Sequence, residues 1–169
     1  SLDRCEFITD TQTINSPDCT LPAGVAQKGE DVVCTLTPFD GLDEGPAATT
    51  PSVYVGNSPP PAPSLAVTPT TATVGSVFDC VVLPGSSDPD NDTVTVDLTW
   101  LINGQDQIPY DGSVSAIVLG MQKGDVVQCS GIASDGAALS TETVSAPVEL
   151  ANSAPEAGNV SISPEAPLE

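Results

Sequence analysis

Through "TVTVDLTWLI" (Thr93–Ile102) the chain alternates strictly: Val94, Val96, Leu98 and Trp100 fall on one side, Thr95, Asp97 and Thr99 on the other. A period of two is that of a strand with one face buried. "LAVTP" (Leu65–Pro69) and "SVFDCVVLP" (Ser76–Pro84) are β-branched runs closed by Pro and read as two more strands. Asn103-Gly104 in "NGQDQ" turns a hairpin, and a Lys-Gly turn leads into "DVVQCSGIA" (Asp125–Ala133). Ser134-Asp135-Gly136 then turns into a last strand near Thr141–Leu150. No segment sustains a 3.6-residue period, so the expected fold class is all-β.

The pattern is written twice. "QKGEDVVC" (Gln27–Cys34) returns as "QKGDVVQC" (Gln122–Cys129), and Lys28 to Lys123 and Cys34 to Cys129 share a period of 95 residues. Asp40-Gly41 meets Asp135-Gly136 in the same register, Asn57-Ser58 meets Asn152-Ser153, Pro60 meets Pro155 and Pro69 meets Pro164. That period is too long for a solenoid and suits a tandem array of β-sandwiches. The expected organisation is a shortened domain over 1–57, a complete one over 58–152, and a linker plus first strand over 153–169.

Cys80, Trp100 and Cys129 stand in the order cysteine, tryptophan, cysteine on three of the expected strands. In this the chain resembles immunoglobulin-like domains, where such cysteines join the two sheets and the indole packs on the bridge. With "DPDND" in a loop and "NSPPP" and "NSAPE" at the joins, it looks most like the Ig-like, cadherin-like or PKD-like repeats of microbial surface proteins. The resemblance implies two Ig-like sandwiches in tandem and a Cys80–Cys129 bridge. It also matches "SLDRCEFI" (Ser1–Ile8) to "SVFDCVVL", which puts Cys5 where Cys80 stands and pairs Cys5 with Cys34 by analogy. Cys19 is then the odd cysteine, and a Cys19–Cys34 bridge is the alternative, since connectivity is not legible in a sequence.

On this alignment the opening domain lacks its first strand, and "NSAPEAGNVSISPEAPLE" (Asn152–Glu169) supplies a strand without a domain. Two expectations follow. In one, Val160 and Ile162 of a neighbouring copy complete the opening domain by strand donation, giving a head-to-tail homopolymer. In the other, the 169 residues are one period of a longer covalent array.

Composition narrows the class. The chain carries 23 Asp and Glu against 3 Lys and Arg, a formal net charge of −20. Phosphate backbones and anionic membrane surfaces would be repelled, so nucleic acid is not an expected partner, and no apolar run approaches the roughly 18 residues that membrane insertion needs. Five cysteines, no His and no close-spaced CxxC pair point to disulfides in an extracellular or cell-surface protein, not to zinc.

Asp88, Asp90 and Asp92 place three carboxylates on alternate residues of one loop, a spacing that lets a turn converge oxygens on Ca²⁺. Asp135, on a loop at the same end of a sandwich, would add a ligand, and the loop equivalent to it carries Asp40, Asp43 and Glu44. The bland reading is a polar turn rich in Asp. By resemblance to cadherin-like joins, Asn57 and Asn152 would each present a carbonyl to an ion. Asn91-Asp-Thr93 and Asn159-Val-Ser161 are N-glycosylation sequons, and the Pro- and Thr-rich join over 59–74 is a candidate for O-linked sugar. A Ser-His or Cys-His nucleophile is excluded without His, and no Gly-rich phosphate cradle is present. The expected role is therefore not enzymatic and needs no cofactor beyond a candidate Ca²⁺. It is an extracellular filament or stalk, with an adhesive or carbohydrate-binding module, or a passive spacer, as alternatives.

Overall fold

The computed structural model describes residues 4–85, 87–109 and 111–161, with only the backbone described over 106–109. Thirteen strands follow in chain order: β1 Arg4–Ile8, β2 Thr13–Ser16, β3 Asp31–Thr37, β4 Ala48–Thr49, β5 Val53–Tyr54, β6 Ser64–Thr68, β7 Val77–Leu83, β8 Thr95–Ile102, β9 Gln105–Pro109, β10 Val114–Ser115, β11 Val126–Ser134, β12 Thr143–Val144 and β13 Val148–Glu149. No helix occurs among the described residues, and the named strands pair antiparallel. The chain is all-β, as its two-residue periodicity predicts.

Two compact units are formed. One comprises Ser1–Pro63 with Pro84–Asp97 and Ile132–Glu142; the other comprises Ser64–Leu83, Leu98–Gly131 and Thr143–Glu169. Strands β10-β7-β6 make one sheet, and β12-β11-β8-β9 with β13 beside β11 make another. Cys80 on β7 and Cys129 on β11 are bonded, with Cα atoms 6.2 Å apart, so the bridge ties the two sheets as the resemblance implies. Phe78, Trp100, Val127, Cys129 and Leu150 are the largest fully buried side chains of this core, which Val67, Ala72 and Met121 extend. The Trp100 indole N–H donates to the Gly112 carbonyl at 3.2 Å, so its one polar group is satisfied inside the core.

In the first unit all five strands of its opening segment fall in one sheet, β2-β1-β3-β4 with β5 beside β3. The repeat is visible here bond for bond. Gly29 and Gly124, both at φ 90°, donate to Val55 and Leu150 at 2.9 Å each. Thr50 and Ser145 donate their amides to the carbonyls of Cys34 and Cys129, and their hydroxyls accept from the amides of those same cysteines. Glu30 and Asp125 each hold the amide three residues before them, that of Gln27 and Gln122, at 2.7 Å. A left-handed turn there requires glycine, which is why Lys-Gly recurs in both copies.

The opening strand departs from expectation. Strand order places β1 where β8 stands, between a hairpin partner and the repeat's cysteine-bearing strand: β2-β1-β3 against β9-β8-β11. The register agrees. Asp10 accepts from the Asp31 amide at 3.3 Å, as Asn103 accepts from the Val126 amide at 2.9 Å. Counting back along both strands, Phe7 stands where Trp100 stands, and Cys5 where Leu98 stands. The matching of Cys5 to Cys80 is thereby corrected: Cys5 and Cys34 lie on adjacent strands of one sheet, with Cys5 opposite Leu36 and Cys34 opposite Phe7. A bridge that joins facing sheets has no counterpart in that register, and Cys5 bonds Cys19 instead, with Cα atoms 5.2 Å apart. Cys19 sits in a turn at φ 56°, hydrogen-bonded back to Ser16. Cys34, not Cys19, is the free cysteine.

Among the described residues, no counterpart of β7 or β6 pairs with the opening sheet.

Candidate metal centre

Asp88, Asp90 and Asp92 belong to the first unit, in its Pro84–Asp97 segment. "DPDND" cannot continue a strand, because Pro89 lacks an amide hydrogen and Asn91 takes a left-handed φ of 61°. Asp88 closes the loop on itself: its Oδ1 accepts the amides of Asp90 at 2.8 Å and Asp92 at 3.3 Å, and its carbonyl accepts that of Asn91 at 3.1 Å. This folding brings one carboxylate oxygen from each of the three aspartates within 4.8 Å of the others.

Two further segments of the same unit meet this loop. Ser58 donates its amide to Asp90 Oδ2 at 2.6 Å and its hydroxyl to Asp90 Oδ1 at 3.4 Å. Lys28, on the Lys-Gly turn, donates to Asp92 Oδ2 at 2.6 Å. Its ammonium is held above the ordinary lysine pKa, first by that bond to Asp92 and then by the fields of Asp92, Asp90 and Asp135.

Asp135 does not join the three carboxylates as a direct neighbour. Its Oδ1 accepts the amides of Ala137 at 2.7 Å and Ala138 at 2.6 Å, and its Oδ2 accepts the Asn57 amide Nδ2 at 2.9 Å. Those bonds, Asn57's first, lower its pKa from 3.8 to about 2. Asn57 Nδ2 also reaches the Ser58 carbonyl, so Asn57 sits between Asp135 and the segment that binds Asp90. Two side-chain oxygens in this region are buried without a hydrogen-bond partner among the described residues, Asp88 Oδ2 and Asn57 Oδ1. Asp88 as a whole is 3% exposed.

Other expected positions fall elsewhere. Asp40 repeats the Asp135 turn, accepting the amides of Leu42 and Asp43, while Glu44 pairs with Arg4 at 2.6 Å. Asp40, Asp43 and Glu44 are thus engaged in a local turn and an ion pair. Asn152 donates to Ser153 as Asn57 donates to Ser58, but it is exposed. Asn91 and Asn159 are both exposed, Asn91 between two of the clustered aspartates. Val160 is 93% exposed and the chain over 151–161 joins no strand; Ile162 lies outside the described residues.

The alternate-Asp spacing reveals the loop, but not its link to Asn57. The Asn-Ser-Pro stretch reads equally as a turn, and only the fold shows that the Asn57 side chain reaches Asp135 and that Ser58 reaches Asp90. No helix among the described residues is long and apolar enough to cross a membrane. The chain matches no family model, and no curated protein matches it.

Proposed function

We propose that the chain is a stretch of an extracellular structural protein, a linear array of Ig-like sandwiches that forms a stalk or filament. The repeated hydrogen-bond pattern of 27–58 and 122–153 carries this reading, because it is one supersecondary unit built twice from one chain. The order β10-β7-β6 against β12-β11-β8-β9, with the Cys80–Cys129 bridge and Trp100 in one core, supports the Ig-like assignment. Two disulfides fit an oxidising compartment. The role is mechanical: disulfide-bridged sandwiches resist extension.

Between strand donation and a covalent array, the array is favoured. The counterpart of the Val160 segment, β6, pairs with β7 over the register Ser64↔Leu83 to Thr68↔Asp79. Among the described residues no counterpart of β7 joins the opening sheet, so a donated 160–162 segment would lie there without the partner strand that β6 has. A whole sheet like β10-β7-β6, with a cysteine for Cys34, is what matches the face of Phe7, Val32, Cys34 and Val53.

Light scattering and negative-stain microscopy of the 169-residue chain and of a chain lengthened by further repeats test this. The short chain should stay unpolymerised with Cys34 open to maleimide, and the lengthened one should form rods with its internal Cys34-type thiols blocked. Fibres from the short chain that vanish on deletion of 156–169 would overturn the array in favour of strand exchange.

A further inference from the structure

We propose that Asp88, Asp90, Asp92 and Asn57 bind a hard divalent cation of the Ca²⁺ class. The acidic loop alone would not carry this, since turns rich in Asp are common. What carries it is the pair of orphan oxygens. A buried carboxylate oxygen without a donor is costly, and Asp88 Oδ2 is one, in a residue that is 3% exposed. Asn57 Oδ1 is a second, brought from another segment of the chain. Asn57's own amide hydrogens are committed to Asp135 and to the Ser58 carbonyl, so the oxygen is the end left to take a ligand.

Charge points the same way. The three clustered carboxylates, Asp88, Asp90 and Asp92, hold one ammonium, that of Lys28, which leaves a local net charge of −2 (−3 + 1), and Asp135 also acts on Lys28 through its field. Carboxylates, an amide oxygen and water are the donor set that Ca²⁺ takes, and no nitrogen or sulfur ligand competes for a softer metal. Lys28 is the protein's own counter-ion at Asp92, so the cation and Lys28 act on the same carboxylate. Asp135 is a positioning residue: it holds Asn57 by the amide nitrogen. Binding would fasten the Asn57–Ser58 segment to the 88–92 loop through a metal as well as through the Ser58–Asp90 bonds.

The test is calorimetric titration of the full chain with CaCl₂ and with MgCl₂, joined to melting curves in calcium and in chelator. Calcium should bind one-to-one with Kd of about 10⁻⁴–10⁻³ M, the range of extracellular modules. At about ten times that concentration it should raise Tm by roughly 3–8 °C. Asp88→Asn and Asp92→Asn should each remove the heat and the shift, and Lys28→Gln should tighten binding. If Asp88→Asn fails to fold, Asp92→Asn and the wild-type titration still decide. Absence of any binding heat with an unmoved Tm would overturn the proposal. So would binding that survives in both aspartate variants, or a Lys28→Gln chain that is destabilised and not restored by calcium, which would leave Lys28 as the cluster's counter-ion.

Discussion

Val32 and Val127 stand on the same rung of the repeat, as do Cys34 and Cys129, and Val53 and Val148. In the second unit Val127 and Cys129 are wholly buried and Val148 is 5% exposed; in the first, Val32 and Cys34 are half-buried and Val53 is 64% exposed. The residue types barely differ. What differs is the layer across from them: β7 and β6 bring Phe78, Cys80 and Val67 over one sheet, whereas on the other Cys5 is bonded to Cys19 in a turn. Backbone ladders and turns reproduce themselves from local sequence. Burial does not, because it belongs to the pair of sheets.

The largest expected effect of that difference falls on the aromatic residue at the centre of each sheet. Trp100→Ala should cost about 3–5 kcal/mol, by emptying a filled core next to the Cys80–Cys129 bridge. Phe7→Ala, at the equivalent rung, should cost about 1–2 kcal/mol, since part of its surface is already in water. Calorimetric unfolding of the two variants measures the gap. Equal losses would mean that the opening sheet is as well covered as the other, and the contrast would be gone.

A smaller effect tests the same contrast through one hydrogen bond. Ser145 Oγ accepts the Cys129 amide at 3.0 Å in a buried setting, and Thr50 Oγ1 accepts the Cys34 amide at 3.1 Å in an exposed one. Ser145→Ala strands a buried donor and should cost about 1–3 kcal/mol, whereas Thr50→Val leaves an amide that water can reach and should cost at most about 0.5 kcal/mol. Urea midpoints at constant slope read both. A Thr50→Val loss as large as that of Ser145→Ala would show that the amide of Cys34 is shielded from water.

Much of this is legible in the sequence alone. The alternation in Thr95–Ile102 marks β8, whose burial follows it toward Trp100, and the 95-residue period fixes β3 to β5 against β11 to β13. Matching cysteine to cysteine misplaces the opening strand. The better signal was the hairpin: "FITDTQ" (Phe7–Gln12) runs in step with "WLINGQ" (Trp100–Gln105) at an offset of 93, so a two-residue difference broke the fixed period. Pairing of Cys5 with Cys19 depends on which sheet each cysteine enters, and spacing says nothing about that. The Asp88–Asp92 loop could be read from its alternate carboxylates. Its bond to Ser58 could not, because that residue lies 32 positions before Asp90 and is joined to it only by folding.

The smallest effect concerns acid. Asp40 and Asp135 cap the same turn in the two copies, and both have pKa values below the usual carboxylate value: Asp40 through the amides of Asp43 and Leu42, Asp135 to about 2 through Asn57 and the amides of Ala138 and Ala137. A carboxyl whose folded pKa is depressed stabilises the fold above its unfolded pKa, and that contribution is lost as pH falls through the folded value. For Asp135 the window runs from 3.8 down to about 2. Both groups are near solvent, so the effect is a shift in the acid limb of the melting curve and not a collapse at neutral pH. Asp18, Glu30 and Asp125 are depressed as well, so a residual acid loss persists when one group is removed. Asp135→Asn should therefore flatten the fall of Tm between about pH 4 and pH 2, and Asp40→Asn should flatten it less, because among the described residues no side chain like Asn57 donates to Asp40. Identical acid limbs for the two variants would show that Asn57 adds nothing to the turn of Asp135 that its backbone amides do not already supply.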